Sequence, residues 1–524
     1  MSEHYGGGRE LEAEPPRAEF VARYREGRPQ VVWTRLVADL ETPVSAFLKL
    51  SDGRSMSCLL ESIEGGAARG RYSIIGLAPD VVWRTFGDRA EVNRQAHIRP
   101  DRFKPEAGPA LKSLRALLAQ SRIELPPELP PIAAGVIGYL GHDTVRLIER
   151  LPHEPPDSIG VPDGMLVRPT LMVVFDNVRD EMIVVTPVRP ESGPESGPGS
   201  GVDAQAAYAG AVERLRGVVH ALDEPLPHTT AMAGVHLALP APVSNTSPAE
   251  YRGMVERARE YIAAGDVFQV VLSQRFSVPF RLPPFALYRA LRRTNPSPFL
   301  FHLDFGSFAL VGSSPEILVR VRDGEVTIRP LAGTRPRGAT PEEDKALEAE
   351  LLADPKERAE HLMLLDLGRN DVGRVAEIGS VRVTESFAVE RYSHVMHIVS
   401  HVTGRLDRRH DTIDALMAGF PAGTLSGAPK VRALEIIDEL EKEKRGPYGG
   451  CVGYFSADGE MDSCIVLRTA LVKDGVMYVQ AGAGVVADSD ASAEQAECGH
   501  KSRALFKAAE EAVRFAERAR LGNR

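Results

Sequence analysis

Two pairs of glutamates, each with its members three positions apart, are residues whose type and spacing could do chemistry. Glu357 and Glu360 lie in DPKERAEHLMLLDLGRND, and Glu494 and Glu497 lie in AEQAECGHKSRALFKAAEEA. Both stretches have a helical composition, so each pair would share one helix face, where like charges cost roughly a few tenths of a kcal/mol. Two solvated surface helices would explain either pair alone. A divalent cation shared by two helices would explain both.

Six short stretches in the second half of the chain combine glycine, small polar residues and a charge. They are residues 310–319, 329–338, 420–430, 448–455, 462–472 and 479–489. Glycine lets backbone N–H groups approach an anion closely, and an arginine such as Arg468 can bind a carboxylate with two parallel hydrogen bonds. Carboxylate faces suit a hard cation such as Mg²⁺. Together these features predict a small dianionic substrate that carries carboxylates.

The elements around these residues predict an α+β protein with large antiparallel sheets packed as a sandwich and helices outside. Short β-branched runs recur over residues 31–190, and a Gly/Pro/Ser-rich insertion with one helix and a linker covers residues 191–246. Helices and strands then alternate irregularly over residues 247–510, without the regular spacing of a parallel sheet. Ser247, Pro248 and Glu250 predict a capped helix start for this second domain. Residues 1–30 are expected to be a polar tail.

Composition excludes several classes of function. The 524 residues are 43% hydrophobic and 26% charged with a net charge of −9, which gives no electrostatic case for binding nucleic acid or an anionic membrane. The N-terminus lacks the apolar core of a signal peptide, and no apolar run could span a bilayer. Four widely spaced cysteines fit a reducing compartment. We therefore expect a cytoplasmic protein.

An ordered set of motifs makes the chain resemble the large (component I) subunits of anthranilate synthases, in the chorismate-utilising enzyme family. The motifs are LLES, NPSP, SSPE, LAGTRPRG, AEHLMLLDLGRND, YSHVMH, PAGTLSGAPK, YGGCVGYF and AGAGVV, over roughly residues 40–505. The resemblance implies that family's fold. It also implies Mg²⁺-dependent amination of chorismate at ring C2 with loss of the C4 hydroxyl, followed by elimination of pyruvate to give anthranilate. This would be the first committed step of L-tryptophan biosynthesis.

The resemblance also implies roles for individual residues. Glu360 and Glu497 would bind Mg²⁺, with Glu357 and Glu494 beside them and acting through water. The residues implied to contact chorismate are Gly333, Thr334, Tyr448, Arg468, Gly482, Ala483 and Gly484. Glu316 would be the acid that assists departure of the C4 hydroxyl, and Thr424 would lie beside the reacting ring.

His397 would be the base of the elimination half. In RYSHVMHIV the family pattern singles out His397 and leaves His394 without a role. Removal of the C2 proton would suit a base with a pKa near neutrality, so we expect such a pKa for His397.

Ala332 separates this chain from relatives that carry a lysine at the same place and make aminodeoxychorismate, isochorismate or salicylate. Alanine cannot act as a nucleophile, so the resemblance implies ammonia supplied by a separate glutamine amidotransferase subunit. Two alternatives remain open at this point: an aminodeoxychorismate synthase component I, and a non-catalytic tryptophan-binding relative.

Two further features concern regulation and a second activity. The residues that resemble a tryptophan feedback pocket are Glu61, Ser62, Pro298, Phe299 and Leu300. Gly449, Cys451 and Gly453 satisfy the G-x-C-x-G pattern of a glutaminase nucleophile, but the downstream histidine and glutamate that should follow are absent. The sequence therefore predicts that the chain is not itself a glutaminase.

Overall fold

The structure is a computed structural model that describes residues 11–51, 54–64, 68–190, 203–226, 239–392 and 395–520. His394 and most of the Gly/Pro/Ser-rich insertion lie outside the described residues. Within those residues no helix has the length and apolar character needed to cross a membrane.

Eleven α-helices occur in the described part of the chain. They are α1 (Arg17–Arg25), α2 (Pro43–Leu50), α3 (Ala110–Gln120), α4 (Ala204–Asp223), α5 (Pro248–Ala263), α6 (Pro284–Thr294), α7 (Pro341–Ala353), α8 (Pro355–Gly373), α9 (Thr412–Gly419), α10 (Lys430–Leu440) and α11 (Ala491–Arg520). The same part of the chain also contains three short 3₁₀ helices, at Pro131–Ala133, His142–Leu147 and Gly423–Leu425.

Over the residues that the structure describes, twenty-two strands join into one continuous hydrogen-bonded sheet in which every strand pair is antiparallel. The first half supplies β1 (Gln30–Val37), β2 (Ser57–Glu64), β3 (Ala68–Phe86), β4 (Arg89–Asn93), β5 (Lys104–Pro109), β6 (Gly135–Leu140), β7 (Gly164–Asp176) and β8 (Glu181–Val188). The second half supplies β9 (Val243–Ser244), β10 (Gln269–Pro279), β11 (Phe299–Asp304), β12 (Phe308–Ser314), β13 (Ile317–Arg322), β14 (Glu325–Ile328), β15 (Leu331–Pro336), β16 (Arg382–Arg391), β17 (Val395–Arg405), β18 (Gly427–Ala428), β19 (Cys451–Ser456), β20 (Met461–Ile465), β21 (Thr469–Lys473) and β22 (Val476–Val485).

Strands from the two halves of the chain pair directly. β2 pairs with β11, so that Glu61 lies opposite Leu300, and β6 pairs with β19, so that Gly138 lies opposite Gly453. The ladder also continues from β11 through β12 to β21. The first and second halves therefore share one sheet.

In the described part of the chain, buried apolar side chains form a core between strands, two large cores beneath helices and a small cluster of Leu351 with Met396 and Ile398. The strand core includes Trp33, Ile137, Phe301 and Val452 and contains no residue of an α-helix. The other two cores join helices to strands, for example Leu291 of α6 and Leu505 of α11 with strand residues of both halves. This arrangement confirms the predicted α+β class with antiparallel strands facing one another and helices outside.

The sequence predicted the start of α5 from its local capping residues, but it did not predict helix α1. Ser247 caps α5 through a capping box with Glu250, as predicted. The prediction of a polar tail for residues 1–30 is wrong for the segment that forms α1. Phe20 of that helix is fully buried and its ring contacts that of Tyr208 in α4. A chain-end helix with one buried aromatic gives too weak a periodic signal to be recognised from composition.

Candidate active site

Glu316 lies between β12 and β13 and is buried against Thr424 of the 3₁₀ turn Gly423–Leu425. The Thr424 hydroxyl Oγ1 lies 3.2 Å from each oxygen of the Glu316 carboxyl. Burial raises the pKa of Glu316 to about 8, although the hydrogen bond from Thr424 and the charges of Arg329 and Arg468 act in the opposite direction. Glu316 is therefore largely protonated at neutral pH and can donate a proton.

His397 of β17 faces Gly333 and Thr334 of β15. Its Nδ1 lies 2.9 Å from the Gly333 carbonyl and 3.0 Å from Thr334 Oγ1. A carbonyl can only accept, so Nδ1 carries the proton and Nε2 keeps its lone pair. Burial, with a smaller contribution from the charge of Arg468, lowers the pKa of His397 to about 4, although the hydrogen bond to Gly333 acts in the opposite direction. The expected near-neutral pKa is wrong, because the sequence does not reveal how dry this site is.

Arg468 lies between β20 and β21 in a left-handed backbone conformation, with φ of 48°. An arginine rarely adopts that conformation, and its backbone is held by a hydrogen bond from the Ser313 amide to the Arg468 carbonyl at 3.2 Å. Burial lowers the pKa of Arg468, while the nearby Tyr392 and Glu316 favour its charge. A partly buried cation therefore lies close to Glu316.

A pocket open to solvent reaches Glu316 and Thr424, whereas His397 and Arg468 are not among its described lining residues. Its lining includes Glu316, Arg329, Leu364, Gly368, Gly423 and Thr424. The ring of Tyr392 lies 5.7 Å from that of His397, and Tyr392 also interacts with Arg329 and Arg468. Sequence reasoning missed Tyr392 and Arg329. Their positions in RYSHVMH and RPLAGTRPRG, beside residues that were identified, were the available signal.

Gly482, Ala483 and Gly484 lie on β22 opposite β10. A side chain at Gly482 would place its Cβ 2.6 Å from the Leu272 carbonyl oxygen and 3.0 Å from the Tyr448 hydroxyl. A Cβ at Gly484 would lie 2.5 Å from Gln269 Nε2. Gly482 requires glycine because the backbone of the neighbouring strand approaches it so closely, whereas at Gly484 only the end of the Gln269 side chain would have to move. The structure thus brings Tyr448 to the segment with which the sequence grouped it.

The four glutamates of the two pairs face one another from α8 and α11. Burial raises the pKa of Glu360, and the Glu357 and Glu497 carboxylates raise it further. Burial likewise raises the pKa of Glu494, with an added contribution from Glu497. The interaction between Glu360 and Glu497 means that carboxylates of the two helices lie near one another, and the metal site stays a prediction. Oxygen donors gathered in this way fit the chemistry of Mg²⁺.

Two cations partly neutralise this acidic surface. Arg335 donates to Glu357 at 2.8 Å, and Lys501 pairs with Glu497 at 2.6 Å while also donating to the Gly482 carbonyl at 3.0 Å. Among the described residues no three acidic, histidine or cysteine side chains stand close enough together to hold a metal as they are. A metal at this place therefore requires side chains such as Glu497 to turn away from their cationic partners.

Residues grouped by the sequence as a feedback pocket also meet in the structure. Ser62 lies opposite Phe299 and Glu61 opposite Leu300 on the paired strands β2 and β11. Glu61 is buried and accepts from Tyr288 at 2.5 Å and from Arg292 at 2.6 Å and 3.0 Å. Pro298 immediately precedes β11. Tyr288 and Arg292 of α6 were not identified from the sequence.

Cys451 has the environment of a structural residue. It begins β19 and is paired on both sides, with Leu140 of β6 and Ile465 of β20. Burial raises the pKa of the Cys451 thiol to about 12. The thiolate that a glutaminase needs is therefore not formed near neutral pH, which agrees with the prediction that this cysteine is not a nucleophile.

Comparisons with known proteins place this chain in a family. Residues 73–507 match the model of the chorismate binding enzyme family. The chain is 56% identical over 500 residues to anthranilate synthase component 1 of Cereibacter sphaeroides, covering 95% of this chain and 98% of that one. It is 48% identical to the Thermus thermophilus protein of the same name, covering 90% and 96%.

Solved structures agree with these sequence relatives. A crystal structure of anthranilate synthase component I from Streptococcus pneumoniae superposes with a TM-score of 0.71 at 37% identity, covering 90% of this chain and 98% of that one. A menaquinone-specific isochorismate synthase from Escherichia coli has a TM-score of 0.67 at 20% identity, covering 94% and 99%, and shares the fold. The chain is an enzyme of the chorismate binding family and belongs, within it, to the component 1 subunits of anthranilate synthase.

Proposed function

We propose that the chain catalyses Mg²⁺-dependent conversion of chorismate and ammonia to anthranilate and pyruvate, the first committed step of L-tryptophan biosynthesis. The observation that carries the proposal is the presence of a protonated carboxyl and a neutral imidazole around a partly buried arginine, in a chain of this family. An acid and a base held in opposite protonation states can serve two successive steps at one pH.

In the amination half, ammonia adds at ring C2, the ring double bonds shift, and the C4–oxygen bond breaks. Glu316 donates its proton to the departing hydroxyl, which leaves as water. Thr424 holds the Glu316 carboxyl in place through its hydroxyl. The pKa of about 8 produced by burial keeps that proton available at neutral pH. Arg468, partly buried beside Glu316, would bind a carboxylate of the substrate together with Tyr448.

In the elimination half, His397 accepts the proton from C2 through Nε2, and the enolpyruvyl C–O bond breaks as the ring becomes aromatic. The released enolate takes up one proton at its methylene carbon to become pyruvate, which balances the proton that His397 accepted. Gly333 fixes the tautomer of His397 by accepting from Nδ1. A pKa of about 4 makes the free imidazole a weak base, so we propose that the negative charge of bound substrate raises its basicity during the reaction.

Mg²⁺ would be held by Glu360 and Glu497, with Glu357 and Glu494 beside them. It would supply charge that orients and neutralises the ring carboxylate. The backbone amides of Gly482, Ala483 and Gly484 would add donors at the same end of the substrate, because the Gly482 carbonyl and Glu497 share Lys501. Gly333 and Thr334 would line the ring.

A separate glutamine amidotransferase would supply the ammonia. Ala332 is buried on β15 and offers no nucleophile, and Cys451 has no accessible thiolate. The relatives are named component 1, which supports a partner component. We also propose that L-tryptophan binds at Glu61, Ser62, Pro298, Phe299 and Leu300 and inhibits the enzyme.

The test uses the purified chain with chorismate, magnesium chloride and an ammonium salt, and identifies the product by fluorescence and mass. Anthranilate and pyruvate in equal amounts support the proposal. Aminodeoxychorismate without pyruvate would instead identify an aminodeoxychorismate synthase, and tryptophan binding without turnover would identify a non-catalytic relative.

A further inference from the structure

A buried ion pair joins Glu441 and Arg445 between α10 and β19. Glu441 is 7% exposed and Arg445 is 3% exposed. Arg445 donates to the two carboxylate oxygens at 2.9 Å and 2.5 Å. Burial of two charges is costly, and such a pair often gives no more stability than apolar residues of the same size. The position of the pair therefore calls for an explanation other than stability.

The guanidinium of Arg445 holds two separate segments by their backbones. It donates to the Leu425 carbonyl at 2.6 Å, directly after Thr424, and to the Val271 carbonyl of β10 at 2.7 Å. Glu441 holds the same strand through the Ser273 amide at 2.7 Å and the Ser273 hydroxyl at 2.9 Å. One ion pair thus fixes the turn that carries Thr424 and the middle of β10.

The same pair lies behind the proposed carboxylate-binding segment. On β10, Val271 pairs with Gly484 and Ser273 with Gly482, so the strand held by Glu441 and Arg445 positions those glycines. The guanidinium carbon of Arg445 also lies 5.6 Å from the centre of the Tyr448 ring. One ion pair therefore contacts or positions three parts of the chain that are proposed to contact chorismate: the turn with Thr424, Tyr448 and the Gly482–Gly484 segment. The ion pair is not among the residues proposed to bind the substrate.

We propose that Glu441 and Arg445 are positioning residues that set the spacing between Thr424, Tyr448 and the Gly482–Gly484 backbone for binding chorismate. This inference rests on the proposed function. The rigid five-donor fork of arginine is needed to reach two carbonyls and a carboxylate together, which a lysine ammonium on a flexible stem cannot do.

The experiment compares R445K with R168K. Arg168 is similarly buried, at 9% exposure, and donates to both oxygens of Asp80 at 2.8 Å and 2.7 Å, with Ser121 as its other side-chain partner. We expect R445K to raise the KM for chorismate at least about fivefold while changing kcat less, with an unchanged Mg²⁺ requirement. R168K should lower Tm by a similar amount and leave KM unchanged.

A KM for R445K equal to that of R168K at matched loss of Tm would overturn the inference. If R445K does not fold, S273A provides the second test. It removes the hydroxyl that donates to Glu441 at 2.9 Å and accepts from Gln480 Nε2 at 2.8 Å. An unchanged KM for S273A would then overturn it. Failure of the wild-type chain to consume chorismate with ammonium would instead overturn the proposed function.

Discussion

At the scale of single residues, burial moves two neighbouring groups in opposite directions. The pKa of Glu316 rises to about 8 and that of His397 falls to about 4, in each case because the charged form loses its hydration. The family resemblance implied both residues, and their roles stay predictions. The sequence could not predict the pKa of His397, since the dryness of the site depends on strands such as β15 and β17 that meet only in the fold.

Replacing Glu316 by glutamine should abolish amination and stabilise the fold. The folded-state pKa lies above the ordinary value of 4.5, so ionisation in the unfolded state reduces stability as pH rises from about 4.5 to about 8. At pH 7 the gain in E316Q could reach about 3 kcal/mol. Urea unfolding at pH 7 and at pH 4 measures it. The gain should disappear at pH 4, where both states are protonated, and an equal gain at both pH values would contradict the burial of a protonated acid.

Replacing His397 by methionine should separate the two halves of the reaction. The methionine side chain would fill the space but could not accept the C2 proton, so the aminated ring should accumulate while anthranilate falls at least about a hundredfold. Chromatography with mass detection measures both species. Equal losses of chorismate consumption and anthranilate, with no intermediate, would remove His397 from the elimination step.

At the scale of elements, the sequence predicts features whose contacts are local, such as the start of a helix, but not which distant strands pair. The capping box of Ser247 and Glu250 predicted the start of α5, because all its contacts lie within one turn. The helix-like spacing of the glutamates predicted two helix faces. The pairing of β6 with β19 had no local signal, since both strands are largely buried and their partners lie far apart in the chain.

The faces of α8 and α11 provide a test of the metal. E360Q and E497Q should each raise the Mg²⁺ concentration for half-maximal activity at least about tenfold, because each removes one negative charge from the proposed ligand set. Titration of activity with magnesium chloride measures this. E510Q, an exposed change further along α11, is the matched control. Unchanged Mg²⁺ dependence in both variants would place the metal elsewhere.

Pairing of β2 with β11 provides a test of feedback. Gly70 lies so close to Ser62 that an added Cβ would stand 1.8 Å from its hydroxyl, so arginine at position 62 has no room on that side. We expect S62R to fill the proposed effector pocket and raise the tryptophan concentration for half inhibition at least about tenfold, with little change in kcat. S55R, at an exposed position before β2, is the control. Wild-type sensitivity in S62R would place the effector elsewhere.

At the scale of the whole molecule, the chain should use ammonium but not glutamine. Free ammonia increases with pH, whereas the proton on Glu316 is lost above a pKa of about 8. With ammonium the rate should therefore rise towards pH 8 and level off or fall beyond it. C451A should show the same profile, because the thiol is buried in the sheet. Robust anthranilate formation by the lone wild-type chain with glutamine as the nitrogen source would contradict the two-subunit proposal.

The single sheet shared by both halves has a consequence for how the protein is made. The hydroxyl of Ser456 donates to the Pro131 carbonyl across 325 residues of chain, next to the β6–β19 pairing. During synthesis β2 and β6 therefore leave the ribosome long before β11 and β19 exist. Strands with unpaired backbone groups invite pairing with other chains. We expect the nascent first half to depend on chaperones until the second half has been translated, and to be insoluble when expressed alone.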